Sequence, residues 1–156
     1  MITGGAGGIG QAVAERLARE KQNVFILDIN DEAGAKVAAE FRRRSLPVSF
    51  LCVDVTKESQ AQSAFVKIKA EHGQIDVLVN VAGGSMHRHL LDEFPLAHWQ
   101  AVIDANLTST FLCCRAVTPI MKTQKYGSIV NISSDIAFSG DPAAPPMRRQ
   151  RPVYWA

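Results

Sequence analysis

The segment Thr3-Gly4-Gly5-Ala6-Gly7-Gly8-Ile9-Gly10 has the spacing T-G-x-x-x-G-x-G, and an amphipathic helical pattern starts at its end. Glycine allows a tight turn and lets the backbone come close to a ligand. A helix that opens at such a turn points unpaired N–H groups and the positive end of its dipole into it. That is the chemistry of a diphosphate site. The stretch also satisfies G-x-G-x-x-G through Gly5, Gly7 and Gly10. A plain glycine-rich loop would match as well, so the reading depends on residues further along the chain. Asp28 lies 18 residues after Gly10, at the end of the apolar run Val24-Phe25-Ile26-Leu27. A carboxylate at the tip of the second strand can accept hydrogen bonds from a ribose hydroxyl. It would also repel a 2′-phosphate, and the turn holds no Lys or Arg to neutralise one. The expectation is NAD, preferred over NADP. The alternative role for Asp28 is to cap the helix that Asp31 and its neighbours open.

The elements that could position these groups alternate along the chain. Val48–Val53 closes with Asp54-Val55, Ile75–Val79 closes with Asn80-Val81-Ala82-Gly83-Gly84, and Ser128–Ile132 closes with Ser133-Ser134. Between them lie helical patterns. Ile9, Val13 and Leu17 share a face, as do Ala33, Val37 and Phe41, then Ala61, Phe65 and Ile68. A longer helical segment runs from about Leu96 to Lys125 and carries Trp99, Val102, Ile103, Asn106, Leu107 and Phe111. Nearly apolar strands alternating with helices predict an α/β fold, a parallel sheet covered on both faces. Ligands of such sheets sit beyond the carboxyl ends of the strands. Each motif named above sits at such an end.

These pieces, in this order, resemble the short-chain dehydrogenases/reductases of the single-domain Rossmann type. The resemblance is carried by Thr3–Gly10, Asp28, Asp54-Val55, Asn80-Val81-Ala82-Gly83, Asn106 in Asp104-Ala105-Asn106, and Gly127–Ser134, and it covers about residues 1–146. The second position of Asn80-Val81-Ala82-Gly83 departs from the commoner Asn-Asn-Ala-Gly. The resemblance implies a doubly wound parallel sheet. It implies cofactor contacts from Thr3, Gly4, Gly8, Ile9, Gly10, Asp28, Asp54, Val55, Asn80, Ala82 and Gly83. Asp54 would face the adenine, and Asn80 would brace the strand beside the cofactor. Asn106 and Ser134 would belong to a catalytic tetrad of Asn, Ser, Tyr and Lys, with Ser134 fitting the spacing better than Ser133. Hydride would pass between nicotinamide C4 and a secondary alcohol or carbonyl. The Tyr would be the acid/base, its pKa lowered by the Lys and the cofactor charge. Ser134 would hold the substrate oxygen, and Asn106 a relay water. Intact relatives are expected to be homo-oligomers acting on small molecules.

The family's Tyr-x-x-x-Lys should begin about 13 residues after the Ser. Met147 stands there, with Arg151 four further on, and Tyr154 has no Lys four residues later. A lost nucleotide at the Pro146/Met147 junction accounts for this. With permitted codons and one T restored, the tail regroups to Tyr-Ala-Ala-Ala-Lys-Ala-Gly-Val-Leu-Gly. That places a tyrosine where Met147 stands and a lysine where Arg151 stands. A naturally divergent tail is the alternative. At the other end, only Met1-Ile2 precede Thr3, as a start codon set too far downstream would produce. The expected sheet is therefore incomplete, with a shortened first strand and no strands after the fifth. Residues 1–140 form the partial cofactor-binding domain, and residues 141–156 a Pro/Arg-rich irregular tail. Exposed edges would invite association. Catalysis and nucleotide binding become separable, and a non-catalytic dinucleotide-binding or interaction remnant stands beside the enzyme reading.

Composition fits a soluble cytoplasmic domain, 47% hydrophobic and 21% charged, with no apolar run long enough for a membrane and no signal peptide. The +2 charge does not point to nucleic acid. Without tail residues Arg148, Arg149 and Arg151, 14 basic residues face 15 acidic ones. Arg42-Arg43-Arg44 ends a helix, where cations suit the dipole. Cys52, Cys113 and Cys114 lack C-x-x-C spacing and read as buried reduced thiols. His87 and His89 lack a third nearby ligand, so no metal is expected; in the family this loop borders the substrate.

Overall fold

Strand β2 (Val24–Asp28) begins Val-Phe-Ile-Leu without a polar break. Successive strand side chains point to opposite faces. Val24 and Ile26 enter one core with Ile2, Ala14, Ala18 and Phe41. Phe25 and Leu27 enter another with Phe65, Ile68, Leu78 and Val117. Each such side chain contributes roughly 1.5–3 kcal/mol on burial. A continuous apolar strand is what a sheet covered on both faces requires.

The computed structural model describes residues 1–85 and 89–134. Around β2 stand β1 (Ile2–Thr3), α1 (Gly8–Arg19), α2 (Asp31–Arg43), β3 (Val48–Cys52), α3 (Glu58–His72), β4 (Val77–Asn80), α4 (Leu96–Ile103), α5 (Ser109–Gln124) and β5 (Ser128–Asn131). The strands form one parallel sheet in the order β3-β2-β1-β4-β5. This is the doubly wound fold expected from the alternation. The order reverses direction at β1, so the crevice between β1 and β4 is its topological switch point. Ile2 pairs with Ile26 and with Val79, and Thr3 with Leu27 and with Asn80. α1 and α2 contribute to one core, α3 and α5 to the other.

Three expectations need correction. The buried line of α1 is Gly10, Ala14 and Ala18, one position on from the expected Ile9, Val13 and Leu17. Val13 and Leu17 flank it half-buried, and Ile9 is 58% exposed. The helix lies so close to the sheet that small residues take the contact line. A Cβ at Gly10 would run into the Gly4 carbonyl oxygen. α2 behaves alike, burying Gly34, Ala38 and Phe41 with Ala33 and Val37 beside them. Second, β5, one of the two edge strands among the described residues, is exposed along its length rather than covered on both faces. Third, the thiols are not all buried. Cys113 is buried, Cys114 half-buried and Cys52 exposed, all free.

The α2 cap is Asn30, whose side chain accepts the Ala33 N–H at 3.0 Å. Asp31 and Glu32 follow at the positive end, and Arg42 and Arg43 close the negative end. Arg44 reaches across to Glu15 of α1, which also bonds Arg19. The Arg44 and Arg19 guanidinium groups hold the Glu15 carboxyl down at about 2. Since that is below its ordinary value of 4.5, the stabilisation is present above pH 4.5 and lost as pH falls towards 2. Removing the cap by Asn30→Ala is expected to cost about 1 kcal/mol in urea unfolding. An unchanged midpoint and slope would contradict the cap. Burial pushes the Cys113 thiol up to about 12. Iodoacetamide at pH 8 should therefore label Cys52 in the folded chain and reach Cys113 only in denaturant. Equal labelling rates by mass spectrometry would show that Cys113 is not held in the core.

Candidate functional site

Thr3 ends β1 and is 1% exposed. Its hydroxyl turns inward and accepts the N–H of Val81 at 3.2 Å and of Ala82 at 3.1 Å. The tips of β1 and β4 are thus tied across the switch point. Next to it Gly4 adopts φ 64, and a Cβ there would lie 2.8 Å from the Ala82 Cα. Glycine is required at this position both for the left-handed backbone and for the close approach. The turn continues by Gly7 N–H to the Gly4 carbonyl at 3.1 Å, and α1 opens at Gly8. No side chain caps this end, in contrast to α2. A Cβ at Gly8 would meet nothing within 4 Å. The turn therefore presents an uncapped helix N-terminus to open space, which fits a phosphate-bearing ligand.

Asp28, at the tip of β2, holds the turn directly. Its Oδ2 accepts the Ala6 N–H at 3.0 Å, and its Oδ1 accepts the Asn30 N–H at 3.0 Å. Each carboxylate oxygen keeps a second lone pair for a hydroxyl donor. The capping role that the sequence leaves open to Asp28 belongs to Asn30. At the tip of β3, Asp54 Oδ1 accepts from the Thr56 N–H at 2.9 Å and the Thr56 hydroxyl at 2.6 Å. Its neighbour Val55 is buried in the core shared with Leu27 and Phe65.

At the end of β4, buried Asn80 donates from Nδ2 to Asn131 Oδ1 at 2.9 Å, joining β4 to β5. Its own Oδ1 is buried with no partner among the described residues. Ala82 lies against Gly4, while Gly83 is exposed. Asn106 sits in a π turn, Asp104–Thr108, between α4 and α5. The expected long helix is thus present but widened at this residue. Such wide turns recur at functional sites. Asn106 is 6% exposed. Its Oδ1 accepts the Gly84 N–H at 2.9 Å, and its Nδ2 donates to the Gly84 carbonyl at 3.0 Å and to the Val102 carbonyl at 2.8 Å. Asn106 is thereby latched onto the loop after β4. Ser133 and Ser134 lie half-buried just past β5, which pairs Asn131 with Asn80. Thr3, Gly4, Gly8, Asp28, Asn80, Ala82, Asn106 and Ser134 are thus gathered along the carboxyl edge of the sheet. Met147, Arg151 and His87 lie outside the described residues.

The sequence motifs do not single out two further side-chain contacts near the site. Gln11 Nε2 donates to the Ala6 carbonyl at 2.7 Å. Its place in the first turn of α1, beside the glycine motif, was the available signal. His98 lies 3.0 Å from His89, Nδ1 to Nε2, and His89 also meets the Phe94 ring edge-on. Among the described residues no group of three potential ligands could hold a metal ion. No helix among them is long and apolar enough to cross a membrane. An apolar hollow of about 600 Å³, lined by Phe111, Cys114, Arg115, Pro119, Ile129 and Asn131, lies between α5 and β5, away from the glycine turn.

The family model for short chain dehydrogenases matches residues 1–146. The chain is 40% identical over 143 residues to a 3-oxoacyl-[acyl-carrier-protein] reductase of Chlamydia muridarum, covering 91% of this chain and 57% of the relative. It superposes on an NAD+-bound xylitol dehydrogenase with TM-score 0.89 and 33% identity, covering 94% of this chain and 56% of that one. A gluconate 5-dehydrogenase from Burkholderia cenocepacia, in complex with NADP and tartrate, gives TM-score 0.88 and 33% identity, covering 96% and 58%. The chain spans about half the length of the curated relatives it matches. With its glycine turn, its switch-point crevice and its latched Asn106, the chain belongs to the short-chain dehydrogenase family.

Proposed function

We propose that the fold serves NAD-dependent oxidoreduction, hydride transfer between a secondary alcohol or its carbonyl and nicotinamide, with NAD preferred over NADP. The observation that carries this reading is the uncapped N-terminus of α1 at Gly8 beside the Asp28 carboxylate. The helix end would hold the diphosphate. Asp28 would accept the adenosine ribose hydroxyls and repel a 2′-phosphate. Solved structures similar to this chain hold NAD+ in one case and NADP in another, so the preference rests on Asp28. Asp54 would lie towards the adenine, and Val55 would back it from the core.

The nicotinamide supplies the hydride acceptor or donor; the residues supply position and proton handling. Ser134 would donate a hydrogen bond to the substrate oxygen. Both amide hydrogens of Asn106 are committed to carbonyls of Gly84 and Val102. Asn106 would serve the proton relay from this latched position, holding a water as the resemblance implies. The resemblance calls for a Tyr and a Lys to complete proton transfer, and Met147 and Arg151 occupy those places. Neither can act as the acid/base. This observation favours a second reading, in which the chain binds dinucleotide without catalysis.

The purified chain is expected to show no measurable NAD-linked oxidation of secondary alcohols. Loss of a general acid/base alone typically costs about 10²–10⁴-fold. Turnover at the rate of an ordinary dehydrogenase would refute the assignment of Met147 and Arg151. Calorimetric titration should show NAD(H) binding more tightly than NADP(H), with Asp28→Ala narrowing the gap. Tighter NADP(H) binding by the parent chain, or an unchanged ratio in the variant, would remove Asp28 as the selector.

A further inference from the structure

We propose that Gln11 and Asp28 form a clamp on the Ala6 peptide, and that this clamp sets the shape of the diphosphate-binding turn. The proposal rests on the cofactor reading above and assigns to Gln11 a positioning role, and to Asp28 a second role beside ribose recognition.

The turn has little intrinsic shape. Gly4, Gly5, Gly7 and Gly8 surround Ala6, and glycine loses more conformational freedom on ordering than any other residue. Backbone bonds restrain its flanks, among them Gly5 N–H to the Leu27 carbonyl and Gly7 N–H to the Gly4 carbonyl, both 3.1 Å. Ala6 stands at the middle, and side chains hold both of its polar groups. Asp28 Oδ2 accepts its N–H at 3.0 Å. Gln11 Nε2 donates to its carbonyl at 2.7 Å. Both side chains stand on regular elements, Asp28 as the last residue of β2 and Gln11 in the first turn of α1. Gln11 is fixed in turn by its own N–H, which donates to the Gly7 carbonyl at 2.8 Å. The two peptide planes that flank the Ala6 Cα are thus held, one from the strand and one from the helix.

The clamp has two consequences. The Ala6 N–H faces Asp28 and is not offered to phosphate, which leaves the diphosphate to the first amides of α1. The same carboxylate also serves both the ribose and the turn, so cofactor preference and diphosphate affinity are coupled. A substitution at Asp28 made to admit a 2′-phosphate would also release one jaw of the clamp.

The test separates ribose recognition from turn shape with two probes, ADP and 2′,3′-dideoxy-ADP, titrated calorimetrically against the 156-residue chain. Dideoxy-ADP has no ribose hydroxyl for Asp28 to hold. The variants are Gln11→Ala, Gln11→Glu, Asp28→Ala and Asp28→Asn. Gln11→Glu keeps length and shape but cannot donate to the Ala6 carbonyl. Both Gln11 variants should weaken ADP and dideoxy-ADP equally, by about five- to tenfold. Asp28→Ala should weaken dideoxy-ADP to a similar degree. Asp28→Asn has one side-chain oxygen where Asp28 uses two, so it satisfies either the Ala6 or the Asn30 N–H, and it should weaken that probe less than Asp28→Ala does. Amide exchange at Ala6 in the ligand-free chain should quicken in Asp28→Ala, a readout that needs no ligand. Parent-like binding of dideoxy-ADP by Gln11→Glu, or an Asp28→Ala loss confined to ADP, overturns the clamp while leaving the cofactor reading intact. A parent chain that binds neither nucleotide overturns the cofactor reading, and the clamp with it.

Discussion

β1 is two residues long and lies between β2 and β4, and the site depends on how its last residue is bonded. The backbone of Thr3 is in register with Leu27 on one side and Asn80 on the other, while its hydroxyl accepts two N–H groups from the segment after β4. One residue thereby aligns the ends of three strands. A typical hydrogen bond contributes a net 0.5–1.5 kcal/mol or so, but a buried donor left unpaired costs roughly 1–3. Valine in place of Thr3 would keep the shape and strand Val81 and Ala82. The crevice at the switch point exists because this tie draws the β4 loop against Gly4, where the absence of a Cβ lets Ala82 settle.

Around that tie the site solves a conflict between freedom and shape. A phosphate cradle needs glycines so that backbone can approach the ligand, yet glycines leave the turn loosely defined. Side chains from regular elements supply the missing restraint, Asp28 from the strand and Gln11 from the helix. The far side of the crevice obeys the same logic. Asn106 pins Gly84 by both its N–H and its carbonyl from within a π turn, and the same side chain also reaches the Val102 carbonyl. Asn80 and Asn131 then join β4 to β5 ahead of Ser134.

The edges of the sheet are treated less evenly. β2 and β4 are enclosed by both cores, but β5 leaves Ile129 39% and Val130 46% exposed, with Phe111 and Tyr126 nearby also open. This apolar strand is one of the two edges of the sheet among the described residues. Parallel strands are rarely stable with both faces in water.

The amino-acid sequence by itself determined the alternation of strand and helix, the parallel sheet, the glycine turn, Asp28 at the second strand tip, the opening of α2 near Asp31, and the family. These are local or periodic signals. Val24–Leu27 is apolar because both faces are buried, and Gly4 and Gly10 are glycines because neighbouring backbone occupies the space of a Cβ. Tertiary structure alone decided which face of α1 packs, since Gly10, Ala14 and Ala18 win the contact line through closeness to the sheet rather than through hydrophobicity. It also decided that Thr3 faces inward, that Gln11 bonds Ala6, that Asn106 latches Gly84 from 22 residues away, and that Glu15 meets Arg44 across 29. The physical reason is that hydrogen bonds of side chains depend on distance and direction, which a linear pattern does not carry until the sheet order has brought the strand ends together.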